Sequence, residues 1–382
     1  MRARPPDARL ARRVRALTIV LLAVAAIGIA LWRPLQTHIR AASLLARFGQ
    51  GDARALPDTS ELLFPIVRAV GDPIRARLYL PRGASQGAIV LVPGVHRLGI
   101  DEPRLVRFAR AVSASGVVVL TPEIGALVDY RIEGASADEI GEAAHALHQR
   151  VGTSVGVMGM SFAGGLALLA ASEPRYVPDV AFVVAVGAHD DLARVVRFFA
   201  TNAIARPDGS ILHLAAHPYG PTVLVYDHVE DFLPAGDLAR AKDALRLWLW
   251  EDKDAARADL AALPPETRSE LGAVFDGDVA SIAPWLLGEV DARAAELAAA
   301  SPHGRLAGLR APVYLLHGSG DSVIPASETL WLARDVPRGL VREVLVSPAI
   351  VHVEMEGEPS FWQKAALVHF MAEVLGAPLT LP

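Results

Sequence analysis

From about Glu61 onward, short apolar runs that stop at Gly or Pro alternate with segments of helical period, and this alternation constrains the fold most. Ala88 to Val92 is continuously apolar and ends at Pro93-Gly94, the pattern of a strand buried on both faces. Ile74, Ala76, Leu78 and Leu80 alternate with Arg75, Arg77 and Tyr79, as in a half-buried strand. Val117–Leu120, Ser154–Met160, Val180–Val186, Val313–Leu316 and Val341–Val346 read as further strands. Between them, Asp101-Glu102-Pro103 opens a helix striped by Leu105, Phe108, Ala109 and Val112. Ser136-Ala137-Asp138-Glu139 has the form of a capping box for a helix to about Arg150. Helices are also expected over Phe162–Ala171 and Phe361–Leu375. Strands alternating with helices imply an α/β fold, a mostly parallel sheet with helices on both faces. Ligands bind such sheets beyond the carboxyl ends of the strands.

The alternation lapses between about Asp191 and Arg310. Asp237–Trp250, Asp254–Leu263, Glu266–Phe275, Ile282–Leu287 and Ala292–Ala300 have helical character, broken by Pro264-Pro265, Gly277 and Pro284. Thr222–Tyr226 reads as one short strand. The expected organisation is a core of residues 59–190 and 305–382, with a helical cap inserted over residues 191–304.

The front end differs. Ala16 to Trp32 holds only Thr18 as a mildly polar residue, a length at the short end of what spans a bilayer as a helix. Six arginines precede it, and Arg33-Pro34 closes it. The run is longer than a signal-peptide core, and Leu31-Trp32-Arg33-Pro34 is a poor cleavage context. Residues 1–34 are therefore expected to be a cytoplasmic tail and an N-terminal transmembrane helix, an uncleaved signal anchor. The arginine asymmetry places the remainder outside the cytoplasm, on the periplasmic side. Residues 35–58 read as a linker or stalk, helical around Ala41 to Phe48.

The chemistry-bearing residues lie at strand ends. Gly159-Met160-Ser161-Phe162-Ala163-Gly164 joins a predicted strand to a predicted helix, the setting of a nucleophile elbow. A serine capping the helix is the plainer reading. His317-Gly318-Ser319-Gly320-Asp321 follows a buried strand and offers Asp321 as the acid that orients an imidazole, or as a turn aspartate. His352 lies beyond the last strand and is the natural general base. His317 and His369 read as structural. The order Ser161, Asp321, His352 is that of strand–helix serine hydrolases. After Pro93-Gly94, the backbone N–H of Val95 could join that of Phe162 in an oxyanion hole. His96 could touch substrate or serve its loop.

These residues carry a resemblance. The chain resembles the α/β-hydrolase superfamily, within it the dienelactone hydrolase and prolyl oligopeptidase-like group, over roughly Glu61 to Leu375. The likeness rests on GMSFAGG, HGSGDSVIP and the histidine of VHVEM, with PGVH in place of the usual oxyanion turn. It implies serine as nucleophile, acid and base as above, and no cofactor or metal. Ala163 stands where the pattern has Gly, and no Gly precedes His352. Asp190 or Asp191, and less readily Asp227 or Asp231, are alternative acids.

The absence of cysteine excludes a thiol nucleophile, a thiolate zinc site and an iron–sulfur cluster. A net charge of −5 argues against a polyanion-binding surface, so no nucleic-acid partner is expected. The expected activity is a membrane-anchored serine hydrolase of small-molecule ester or related acyl bonds. The alternatives are an acyltransferase using the same serine, or an anchored binding module on an inactive hydrolase fold. Trp248, Trp250 and Trp285 in the insert would suit an apolar substrate, or simply a core.

Overall fold

A computed structural model describes residues 17–18, 32–49, 59–68, 70–351, 354–355 and 359–380. Helix α1 covers residues 32–49. Strand β1 (Ser60–Leu63) pairs antiparallel with β2 (Ala76–Leu80), and β2 pairs antiparallel with β4 (Val118–Pro122). The other strands of the main sheet run parallel: β3 (Ala88–Val92), β5 (Val155–Met160), β6 (Val180–Val186), β9 (Val313–Gly318) and β10 (Val341–Ser347). The order across the sheet is β1-β2-β4-β3-β5-β6-β9-β10. Two short pairs lie outside it: β7 (Ala203–Ala205) with β8 (Ile211–His213), and β11 (Ile350–Val351) with β12 (Glu354–Met355).

Because strand side chains alternate, the sheet feeds two cores. Val90, Val92, Val157 and Val183 enter one core with α4 (Ser136–Val151), α5 (Phe162–Ser172) and α14 (Ser327–Asp335). Ile89, Leu91, Met158 and Val184 enter the other with α2 (Pro103–Ala114) and α15 (Phe361–Thr380). The central strands are apolar throughout because both faces are covered. A fully buried Leu or Val contributes roughly 1.5–3 kcal/mol here. Tyr79, expected on a solvated face, is fully buried in the second core. At α2, Glu102 is the N-cap and its carboxylate accepts from the Leu105 N–H at 2.7 Å. A short α3 (Gly125–Val128) lies between β4 and α4.

Ser136 does not cap α4. Ala135 holds that position without a side-chain bond, and Ser136 is buried inside the helix. Glu139, the other half of the expected box, pairs instead with Arg68 at 3.2 Å, and its burial raises its pKa.

Between β6 and β9, over the stretch expected to be a cap, the chain is largely helical: α6 (Leu192–Thr201), α7 (Tyr219–Asp227), α8 (Val229–Phe232), α9 (Leu238–Leu249), α10 (Lys253–Ala261), α11 (Pro265–Asp276), α12 (Val279–Ala292) and α13 (Ala294–Ala299). The predicted strand Thr222–Tyr226 is instead the body of α7. The Thr222 hydroxyl donates back to the Pro218 carbonyl at 2.7 Å, and Val223, Val225 and Tyr226 are buried. Tertiary burial overrides the strand preference of these β-branched and aromatic residues.

The segment read as a stalk is anchored on the core. Thr37, Ala41 and Leu44 of α1 are buried, Phe48 meets Phe108 edge-on at 5.2 Å, and Arg40 donates to the Ser115 carbonyl at 2.9 Å. Among the described residues no helix is long and apolar enough to cross a membrane. Of the apolar run Ala16–Trp32, all but Leu17, Thr18 and Trp32 lies outside them.

Candidate active site

Ser161 stands between the last residue of β5 and the first of α5, with φ 55° and ψ −135°. A non-glycine residue in this region costs of order 1–3 kcal/mol. The conformation is held by the Ser161 N–H donating to Val186 O (2.7 Å) and the Gly164 N–H donating to Ser161 O (2.9 Å). The Ser161 hydroxyl makes no capping bond to α5. That removes the plainer helix-cap reading. A Cβ on Gly159 would lie 2.2 Å from Ala163 O, so the turn closes only over glycine there. Ala163, where the usual motif has Gly, is accommodated as a fully buried side chain.

The loop after β3 runs beside this elbow. Val95 is buried, and among the described residues its N–H donates to no acceptor. Phe162 is the first helical residue of α5, so its N–H has no partner within the helix. The Val95 carbonyl accepts from the Tyr219 hydroxyl at 3.0 Å, and the His96 N–H donates to Leu127 O at 3.2 Å. His96 serves its own loop: Nδ1 accepts from the Leu98 N–H at 3.2 Å, and burial lowers the ring's pKa.

Asp321 is fully buried in the loop after β9. Its Oδ1 accepts from the N–H groups of Val323 and Ile324, both at 2.9 Å. Oδ2 lies 3.3 Å from His317 Nε2. His317 is also fully buried. Its Nε2 donates to Ile324 O (2.8 Å), which leaves Nδ1 to accept from the Thr329 hydroxyl (2.7 Å). It is a brace for the acid loop, as expected of a structural histidine. The Ser319 N–H donates to Ser347 O at 3.0 Å, so the acid loop lies against the end of β10. His352, between β11 and β12, lies outside the described residues. His369 stacks on His38 at 5.4 Å, joining α15 to α1.

The alternative acids have other partners. Asp190 is fully buried, with Oδ2 2.7 Å from Arg194 Nη2; its burial raises the carboxyl pKa. Asp191 caps α6 through the Ala193 N–H at 2.8 Å. Asp231 pairs with Arg293, and Asp227 lies 3.8 Å from His228.

Next to Phe162 is a cavity of about 470 Å³ between core and cap. Its walls include Val195, Val196 and Phe199 of α6 and Val223 and Leu224 of α7, with Asp227 among its polar groups. The cap tryptophans do not line it. Trp248 stacks on Phe275 at 4.3 Å, and Trp285 packs on Phe232 at 4.5 Å. Sequence reasoning missed this cavity and Tyr219, because the cap contributes them through tertiary packing and no local motif marks them.

Among the described residues two groups could offer three ligand atoms to a metal: Asp190, His303 and Asp335, and His228, Asp231 and Glu289. Each already holds a guanidinium, Arg194 in the first and Arg293 in the second. That cation supplies the positive charge the carboxylates require.

No family model matches the chain, and no curated protein matches it. Solved structures do resemble it. It is similar to the Pyrococcus horikoshii acylaminoacyl peptidase (11% identity, TM-score 0.47, 83% of this chain and 40% of that one). It is also similar to the Pyrococcus furiosus esterase PF2001 (13%, 0.44, 83% and 92%). A third is the Anabaena variabilis dienelactone hydrolase (24%, 0.31, 36% and 68%). The chain thus spans about two-fifths of the peptidase and nearly all of the esterase.

Proposed function

We propose that this protein is a serine hydrolase of ester or related acyl bonds, with Ser161 as nucleophile, His352 as general base and Asp321 as the acid that orients it. The observation that carries this reading is the backbone of Ser161. It is held at φ 55° on a strand-to-helix turn, with its hydroxyl unspent on the helix and the Val95 and Phe162 N–H groups beside it. Ser161 attacks the substrate carbonyl as His352 takes its proton, and His352 then returns that proton to the leaving alcohol. The two N–H groups receive the oxyanion, each contributing about 2.7–4 kcal/mol to lowering the barrier. Water, deprotonated by His352, releases the acyl group. The cavity beside Phe162, walled in part by α6 and α7, receives the apolar part of the substrate.

Residues 16–32 hold the enzyme to a bilayer, with the catalytic domain outside the cytoplasm. Support comes from the apolar run itself and from α1, which continues directly from it. Trp32, Leu35 and Ile39 recur at helical spacing on α1 and remain 58%, 53% and 59% exposed, an apolar stripe next to the run.

The test is hydrolysis of p-nitrophenyl acetate by the full chain and by Ser161→Ala and His352→Ala. Loss of turnover in both, with unchanged melting temperature, is expected. Full activity in Ser161→Ala would remove the reading. Alkaline carbonate should leave the full chain in the membrane fraction, and its release would remove the anchor.

A further inference from the structure

The cap meets the candidate site through three consecutive residues, His217, Pro218 and Tyr219. The His217 N–H donates to the carbonyl of Ser322 at 2.8 Å, one residue past Asp321. Two residues later the Tyr219 hydroxyl donates to the Val95 carbonyl at 3.0 Å. One short strap of the cap therefore bridges the acid loop and the loop that offers the Val95 N–H. The strap is braced internally. The Tyr219 N–H donates to His217 Nδ1 (3.2 Å), the Gly220 N–H to His217 O (3.1 Å), and the Thr222 hydroxyl to Pro218 O (2.7 Å).

The peptide that follows Val95 is pinned on both sides. Its C=O is held by Tyr219 of the cap, and its N–H, that of His96, by Leu127 of the core. Holding that plane restricts rotation about the Val95 Cα–C bond, and so narrows the settings open to the preceding N–H, the one left without an acceptor among the described residues. Without the cap bond, only the core side of the plane is tied.

We propose that Tyr219 is a positioning residue: by holding the Val95 carbonyl it aims the Val95 N–H at the developing oxyanion, so that seating the cap completes the oxyanion hole. This rests on the Ser161 reading above. The ring of Tyr219 packs edge-on against Tyr130 at 6.5 Å, and Tyr130 packs against Tyr226 at 6.1 Å. Tyr130 itself has φ 57° and donates to the Leu249 carbonyl at 3.2 Å. These aromatic contacts seat the phenol independently of its hydroxyl, so phenylalanine at 219 keeps the packing and removes only the bond to Val95. Burial pushes the phenol above its ordinary pKa, which keeps it a donor throughout the working pH range.

The experiment compares the full chain, Tyr219→Phe and Ser161→Ala on p-nitrophenyl acetate, with fluorophosphonate labelling and melting temperature measured on each. For Tyr219→Phe, kcat should fall by about tenfold or more while KM stays within about twofold, the pattern of an interaction made in the transition state alone. The labelling rate should fall in parallel, since phosphonylation builds charge on the same donors. A wild-type kcat in Tyr219→Phe overturns the proposal, as does a rise in KM with kcat unchanged, which would make the hydroxyl a substrate contact. If Ser161→Ala turns over and labels like wild type, the Ser161 reading itself fails. The two failures are thereby separate.

Discussion

Gly94 crosses the elbow so closely that a Cβ added to it would stand 3.1 Å from the Cβ of Ser161 and 3.4 Å from the Met160 carbonyl. Both neighbours belong to the turn that sets the serine. Gly94→Ala therefore has to displace the Val95 loop or Ser161 by a few tenths of an ångström. Displacements on this scale at a reacting group reach about 10²-fold in rate. The expected result is a fall in kcat of about 10-fold to 100-fold with the fold intact. Steady-state kinetics and circular dichroism check it, and unchanged kcat would show that the two loops are not in register as described.

Stability should move opposite to activity at Ser161, the proposed nucleophile. Ser161 holds a backbone conformation that glycine adopts freely. Ser161→Gly should abolish turnover while stabilising the protein by about 1 kcal/mol, the middle of the range of stored strain (about 2 kcal/mol) less about 1 kcal/mol for the flexibility that glycine adds to the unfolded chain. For a chain of this size that is a rise of about 1–2 °C in Tm. A fall in Tm would mean that the position carries no strain.

These two predictions depend on parts of the molecule that were legible in the sequence to different degrees. The central strands and the elbow were readable because a strand covered on both faces is apolar throughout, as in Ala88–Val92, and because Gly159, Ala163 and Gly164, two and three residues from Ser161, are small enough for a tight turn. β1 was not, since a four-residue edge strand leaves no alternation to read. The register of Tyr79 was misjudged because α1 and α2 cover a face that would otherwise be solvated. Thr222–Tyr226 was mistaken for a strand because its local preference opposes its packing. Tyr219 and the cavity had no local signal, since each exists only once the cap is seated on the core.

The cavity should set the substrate's apolar reach. Val196 is buried on α6 and faces the space beside Phe162. Val196→Phe fills part of the roughly 470 Å³ without asking the core to expand. Octanoyl ester hydrolysis should lose about tenfold in kcat/KM, within the 10- to 200-fold span typical of pocket discrimination, while acetyl ester hydrolysis stays near wild type. A uniform loss across chain lengths would assign the cavity a structural role.

Acid stability should report on the base of the cap. His189 is fully buried against Gly165, its Nε2 donates to the Ala300 carbonyl at 2.9 Å, and burial lowers its pKa from 6.5 to about 4. The folded protein keeps this ring neutral, whereas the unfolded chain takes up its proton below about pH 6.5. Stability from this group is therefore complete above pH 6.5 and is lost as the pH falls toward 4, a drop of as much as about 3 kcal/mol. Urea midpoints between pH 4 and 7 should fall with acid in the wild type and flatten in His189→Gln. Parallel curves for the two proteins would remove His189 as the cause.

Covalent labelling decides whether Ser161 is the nucleophile. The full chain is treated with a fluorophosphonate probe alongside Ser161→Ala, and the labelled peptide is identified by mass spectrometry. A single adduct on Ser161 is expected in the wild type, none in Ser161→Ala, and a labelling rate that collapses in His352→Ala. An adduct that persists in Ser161→Ala, or a folded wild type that takes no label, would contradict that assignment.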